Sequence, residues 1–445
     1  MSVLEQLIKR PGLKAKFLRP EQPSTRALDL SRTILQSLLG DQSLSNVNVR
    51  LWDGSLWPDE TPRAATVVLN RPSALREMLF AGTETGMGEA YVNAAFDVEG
   101  DFEAAFELGD RIVEKTNGWT RKLEIGNLLR QLPAAPSAEA LRRRAALKGS
   151  RHSHERDREA ISFHYNVSND FYSLWLDREM AYSCAYFHEP TEDLDAAQRH
   201  KFDHICRKLG LREGQRFLDI GCGWGGLVAH AARYYGVRAE GITLSQNQLD
   251  FARRKLDREG LADRVSLSLT DYRDLPDEPV YDAVASVGMV EHIGREKLPT
   301  YFRKVLSLLK PGGLFLNHGI GVGAVRMLGD TGTFINEHVF PDSDLIRISE
   351  MLNPAETEGW EIRDVENLRE HYALTLRHWV QRLETQRDQA LEHVNEATYR
   401  VWRLYMAGCA HNFAIGKLAI YQTLQAKLSP HGTSRAPAVR AGWYK

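Results

Sequence analysis

The sequence predicts an α/β protein, a parallel sheet covered by helices on both faces, preceded by a smaller α+β domain. Three observations carry this. From Arg216 onward, short apolar strands alternate with helical stretches, the pattern of successive β-α-β units. The first of those strands runs directly into the glycine-rich turn of "RFLDIGCGWGG", Arg216 to Gly226. The chain has 445 residues, too many for one ordinary domain and comfortable for two.

In order along the chain, Arg50 to Val98 reads as strands and turns: "VRLWDGSLWP", "AATVVLN" and "GMGEAYVNAAFDVEG", with Asp-Gly and Gly-x-Gly steps as turn signals. A helical stretch follows around Asp101 to Leu129. The segment "LPAAPSAEALRRRAALKGSRHSHERDRE" is rich in Pro, Ala and charge and marks the boundary, giving an N-terminal domain with linker over 1–145 and a second domain over 146–445. In the second domain the expected strands are Arg216–Ile220, Val237–Leu244, Arg264–Thr270, Tyr281–Gly288 and Leu314–Gly319. Between them lie helices over Leu227–Tyr235, Gln246–Glu259 and Lys297–Lys310. Beyond Gly321 an irregular apolar-rich stretch is expected, then a strand at "WEIRDV", a long helical region, a helix around Ala397–Ala414 and a last strand near Leu418–Gln425.

Composition narrows the class. Hydrophobic content of 43% and charged content of 26% are those of a globular protein in water. A formal net charge of -2 gives no global pull towards nucleic acid. Four scattered cysteines (Cys184, Cys206, Cys222, Cys409) show neither a CxxC pair nor zinc spacing, so no metal is expected and a reducing cytoplasm is favoured. No apolar run is long enough to span a bilayer, and the N-terminus lacks the pattern of a secretory signal.

The glycine turn is where ligand chemistry is expected, because ligands of open parallel sheets bind beyond the carboxyl ends of the strands. Glycine removes the Cβ that blocks close approach and permits φ > 0. The spacing of Gly221, Gly223 and Gly225 is not the dinucleotide Gly-x-Gly-x-x-Gly, and no P-loop lysine follows. A smaller adenosine ligand carrying a carboxylate fits better. After the second strand, Thr243, Leu244 and Gln248 stand at the ribose height, although Ser245 and Gln248 also spell a Ser-x-x-Gln capping box. After the third, Asp271 and Tyr272 stand at the height of an adenine, where an ordinary rim aromatic is the alternative for Tyr272.

These residues and several further blocks resemble the cyclopropane-fatty-acid synthases and the related mycolic acid cyclopropane synthases. The blocks are "HYNVSNDFY", "AYSCAYF", "LDIGCGWGG", "GITLSQNQ", "DYRDL", "SVGMVEHIG", "LNHGIG" and "HYALTL", from about Ser150 to the C-terminus. Asn166 and Ser168 depart from the common pattern. The resemblance implies a Rossmann-like class I S-adenosylmethionine (SAM) methyltransferase sheet with helical insertions covering the substrate. It implies transfer of the SAM methyl carbon to the cis double bond of an unsaturated phospholipid acyl chain, closing a cyclopropane ring with bicarbonate as base. It assigns that anion to the Cys184 backbone, Glu291, His318, the Ile320 backbone and Tyr372, and lets Tyr182 and Ser183 close over the aminoacyl end of SAM.

Each of these has an ordinary alternative. Glu291 follows a strand where a carboxylate often caps a helix; His318 lies in an apolar strand like a core histidine; Tyr372 fits a helix-face core aromatic. Cys409 reads as buried helix packing, though the family likeness would flag it as catalytic. A thiolate beside the sulfonium would itself be alkylated, which argues against a nucleophilic role for Cys184 or Cys409. A fatty-acyl methyltransferase giving a methyl- or methylene-branched product would share the first half of the reaction, and a non-catalytic lipid-binding protein is a further alternative. Contact with the inner face of the membrane is expected through "LEQLIKRPGLKAKFLRP" or the basic run Arg142–Arg151, since each basic residue near anionic lipid contributes roughly 1 kcal/mol. The sequence leaves a homodimer open.

Overall fold

The computed structural model describes residues 25–40, 46–115, 118–134, 153–157, 159, 167–325 and 333–444. The basic segments singled out at the N-terminus and over 142–151, and Asn166, lie outside them. The chain forms two compact units: Met1–Phe80 with Ala95–Pro136, and Ala81–Ala94 with Ser137–Lys445.

The first unit carries a four-stranded sheet in the order β2-β1-β3-β4, with β1 Val47–Arg50, β2 Leu56–Trp57, β3 Ala65–Leu69 and β4 Phe96–Gly100. β1 and β3 run parallel and the other pairs antiparallel. Helices Thr25–Leu39, Phe102–Lys115 and Trp119–Gln131 belong to the same unit. Alternation along β3 buries Ala65, Val67 and Leu69 on one side, the period-two pattern of a half-covered sheet.

One expectation here is corrected. "GMGEAYVNAAFDVEG" is not strand and turn throughout; Glu84–Val92 is a helix, capped by Thr83, whose side chain accepts the Gly86 N–H. Its glycines looked like turn signals, but Gly88 serves packing. A Cβ there would stand 2.4 Å from the Phe334 ring. That contact joins residues far apart in sequence, so local spacing could not show it.

The second unit is built on a seven-stranded sheet in the order β10-β11-β9-β8-β5-β6-β7. β5 Arg216–Ile220, β6 Arg238–Thr243, β7 Val265–Leu269, β8 Tyr281–Val287 and β9 Leu309–Val322 are mutually parallel. β10 Glu361–Asn367 and β11 Leu418–Ala426 complete the edge antiparallel. Because β5 lies between β6 and β8, the strand order reverses beside it, and a crevice opens at the carboxyl ends there. The stretch after Gly321 is less irregular than expected, containing helices Thr333–His338 and Ile348–Thr357. Among the described residues no helix is long and apolar enough to cross a membrane.

Candidate active site

The string of glycines after β5 divides into two jobs. Gly221 (φ 83°) and Gly223 (φ 54°) line a cavity at the strand ends, and a Cβ at Gly223 would meet nothing within 4 Å. Both the Gly221 and Cys222 N–H groups donate to the Ile242 carbonyl at 2.9 Å, which fixes the bend. Gly225 does not line the cavity. It caps helix Gly226–Tyr235 at φ 80°, and its Cβ would stand 3.2 Å from Ala252. Gly221, Gly223 and Gly226 therefore line the cavity, while Gly225 lets two helices approach.

Thr243, Leu244 and Gln248 line the same cavity. The capping box is half formed: Ser245 Oγ accepts the Gln248 N–H at 3.4 Å. The Gln248 side chain instead takes the Thr243 hydroxyl on Oε1 at 2.9 Å, leaving the pair on the cavity wall. Asp271 and Tyr272 are also lining residues. Burial opposes the Asp271 charge, but the Arg273 guanidinium, 2.5 Å away, outweighs it and lowers the pKa. The Tyr272 ring stands edge-on to Tyr301.

Tyr182 and Ser183 line the same cavity. Ser183 Oγ accepts from Lys201 Nζ at 2.8 Å. Lys201 and Asp219 are the residues that motif reasoning passed over. Both line the cavity and are almost fully buried, and burial pushes the lysine down and the carboxyl up, each towards its neutral form. Asp219 Oδ1 has no hydrogen-bond partner. A signal for Asp219 was present, since a carboxylate inside the apolar strand "RFLDI" is costly without a ligand to meet. Lys201 had no such signal, because its helix, Leu194–Lys208, is amphipathic and basic residues are ordinary there.

Glu291, His318, Ile320, Tyr372, Cys184 and Cys409 are not among the lining residues, yet two segments lead from the cavity to Glu291 and Cys184. Met289 and His292 line the cavity on either side of Glu291, and Ser183 precedes Cys184. Glu291 Oε1 accepts the Ile320 N–H at 2.6 Å, so that main-chain donor is already engaged by the carboxylate. The Leu368 carbonyl accepts from the Tyr372 N–H at 3.1 Å and from the Cys184 thiol at 3.8 Å. The Leu368 N–H in turn donates to the carbonyl of Ile420, which pairs with Ile320. These bonds place Cys184, Tyr372, Ile320 and Glu291 in one neighbourhood.

The electrostatics there follow from dryness. Burial pushes the Glu291 carboxyl up to about 7 and its Oε2 has no partner. Burial, then the positive Lys201 and Lys208, bring His318 down to about 3, so the imidazole is neutral; its Nε2 has no partner. Burial raises the Cys184 thiol well above its usual range and Cys409 to about 12, leaving both as thiols. Tyr372 stays a phenol for the same reason. Around them Tyr182, Trp175, Trp379, Trp402 and Tyr405 form an aromatic wall, with the Tyr182 and Tyr405 hydroxyls 3.5 Å apart.

The glycine bend, the Thr243–Gln248 pair and the unpartnered Asp219 oxygen suit a ligand with hydroxyls at one end and a cation at the other. Residues 152–423 match the family model for mycolic acid cyclopropane synthetase. The chain belongs to that family. It is a SAM-dependent methyltransferase of the cyclopropane synthase type of fold. A probable fatty acid methyltransferase of Pseudomonas putida is 41% identical over 90% of this chain and 96% of its own length. The cyclopropane-fatty-acyl-phospholipid synthase of Escherichia coli K12 is 36% identical over 59% of this chain and 66% of its own. Among solved structures, mycolic acid cyclopropane synthase CmaA1 complexed with SAH and CTAB superposes with a TM-score of 0.57 at 33% identity, covering 61% of this chain and 98% of that one.

A separate cluster sits on the second unit, where His188, Glu192 and His200 bring ligand atoms within 4.8 Å of one another. The two imidazoles are stacked 3.8 Å apart at 12°, so their in-plane lone pairs run side by side rather than converging. Glu192 Oε1 lies 3.1 Å from His200 Nδ1.

Proposed function

We propose that this methyltransferase alkylates the cis double bond of an unsaturated phospholipid acyl chain and closes a cyclopropane ring. The observation that supports this most is the dry cluster beyond the cavity: a buried carboxylate and a buried neutral imidazole, each with one unpartnered polar atom, set among phenols and indoles. SAM supplies an electrophilic methyl group. The alkene forms the new C–C bond and becomes a carbocation, and a base must then remove a proton from the added methyl before the ring closes. Bicarbonate fits as that base. The His318 Nε2–H and the Tyr372 hydroxyl would donate to it, Glu291 Oε2 would accept from its OH, and the Cys184 main chain would border it. The tyrosine and tryptophan faces lower the cost of the cation. Neutral thiols at Cys184 and Cys409 do not compete for the methyl group.

In the cavity, Gly221 and Gly223 would take the close approach of SAM, Thr243, Leu244 and Gln248 its ribose, Asp271 and Tyr272 its adenine, and Tyr182 with Ser183 its aminoacyl end. An acyl chain is reached from a bilayer, so peripheral docking at the inner membrane face belongs to the same reading.

A second reading, methyl or methylene branching, is favoured by the naming of the Pseudomonas putida relative, which matches nearly its whole length. Both are tested by incubating purified enzyme with deuterated SAM, bicarbonate and a mono-unsaturated phospholipid. A ring visible by NMR, with one deuteron lost from the added carbon, is expected. A branched product transfers the assignment to the second reading, and absence of any SAM-dependent product defeats both.

A further inference from the structure

β11 is a strand inside the sheet, yet Gln422, Thr423 and Gln425 on it are fully buried. Polar side chains in such a place cost stability unless each is matched. Thr423 donates to the Asn317 carbonyl at 3.2 Å and receives Gln425 Nε2 at 3.1 Å, so these two have structural partners. Gln422 has a different one. It sits opposite His318 in the antiparallel register of β9 and β11, and its amide Nε2 lies 3.3 Å from His318 Nδ1.

With the amide in this orientation its nitrogen donates and Nδ1 is the accepting nitrogen of the ring, which leaves Gln422 Oε1 buried without a partner. The imidazole is neutral in this dry setting and carries one proton, which is then on Nε2, the atom without a partner. We propose that Gln422 is a positioning residue: it locks His318 as the Nε2–H tautomer and so makes it a hydrogen-bond donor to the oxygen ligand bound beside Glu291. The same constraint on ring rotation aims that donor, as outer-shell partners of other site histidines do. The inference rests on the functional reading only for the identity of the oxygen ligand; the tautomer is a property of the protein alone.

The test is a two-bond 1H–15N spectrum of protein with 15N-labelled histidine, recorded without substrate, in which His318 is assigned by its loss in His318→Asn. The wild type should show His318 protonated at Nε2. Gln422→Met, which keeps the volume but removes the donor, should give a mixture of both tautomers. Its kcat should fall about tenfold while the KM for SAM is unchanged, and Gln422→Asn should recover part of the loss. A wild-type His318 protonated at Nδ1 overturns the proposal, even if Gln422→Met does not fold. So does a Gln422→Met protein that keeps both the wild-type tautomer and the wild-type kcat. Because the spectrum is read without turnover, a branched product would sink the cyclopropane reading and leave this one standing.

Discussion

Glu291 occupies a place where a carboxylate is expensive, and main-chain hydrogen bonds from Ile320 and from Glu291 itself offset burial only in part. If it acts on a base in the reaction, Glu291→Gln should lower kcat by about 100-fold or more, while calorimetric SAM affinity stays within about threefold. Equal losses in both would make its role structural. Its pKa of about 7 also sets a pH dependence. The ionised form is the one that accepts a proton, so kcat should rise as pH climbs through about 7. Stability moves the other way. The folded state holds this proton more tightly than the unfolded chain, so between the ordinary 4.5 and about 7 stability falls as pH rises. Denaturant titrations at pH 5 and pH 8 should show that fall reduced in Glu291→Gln. At the same scale, motifs identified Glu291, His318 and Tyr372 by residue type. They did not show Asp219 and Lys201 facing one cavity, because that pairing joins a strand to a helix lying before it in sequence.

Among the elements, the turn after β5 is the most constrained. Gly221 at φ 83° admits no side chain without strain, so Gly221→Ala should cost about 1–2 kcal/mol of stability. SAM affinity should fall with it, read by calorimetry. A second constraint joins helix Leu194–Lys208 to β10. The fully buried Lys208 ammonium lies 2.9 Å from Asp364 and 2.5 Å from Glu366, and His204 Nε2 is 2.8 Å from Glu366. Burial works against the Glu366 charge, but the His204 hydrogen bond and Lys208 outweigh it and bring the carboxyl down to about 2. Lys208→Met would remove the shared buried cation, leaving Asp364 with Arg440 and Glu366 with His204, and should lower unfolding free energy by about 3 kcal/mol. A loss under about 1 kcal/mol in urea would show that water reaches the cluster. The strands were legible to within a few residues because their apolar runs end in turn residues. Sequence spacing predicts β9 over Leu314–Gly319, but it spans Leu309–Val322, since Pro311, Gly312 and Gly313 resemble a terminator. In the fold they join the strand, with the Gly312 N–H bonded to the Lys427 carbonyl at 2.7 Å.

For the whole molecule, the proposed lipid substrate would have to reach a buried site from a bilayer. Surface docking on the bilayer is part of the proposed function. The basic-apolar N-terminal segment is the proposed contact. Removing residues 1–20 should weaken binding to anionic vesicles, with each lost basic residue contributing roughly 1 kcal/mol, and should leave SAM affinity intact. Co-sedimentation that responds neither to anionic lipid nor to salt would remove the segment from the account.

The sequence by itself determined the alternation of strands and helices, the bend that holds the cofactor cavity and the residue types set around it. Those features are local: apolar periodicity, glycine spacing and short blocks of side chains write them directly into neighbouring positions. Only the tertiary structure decided that Gly225 packs a helix, that Glu291 takes the Ile320 N–H, and that Gln422 faces His318 across two strands. The reason is physical. Burial sets which polar atoms must find a partner, and the order of strands in the sheet sets which distant residue is there to supply it.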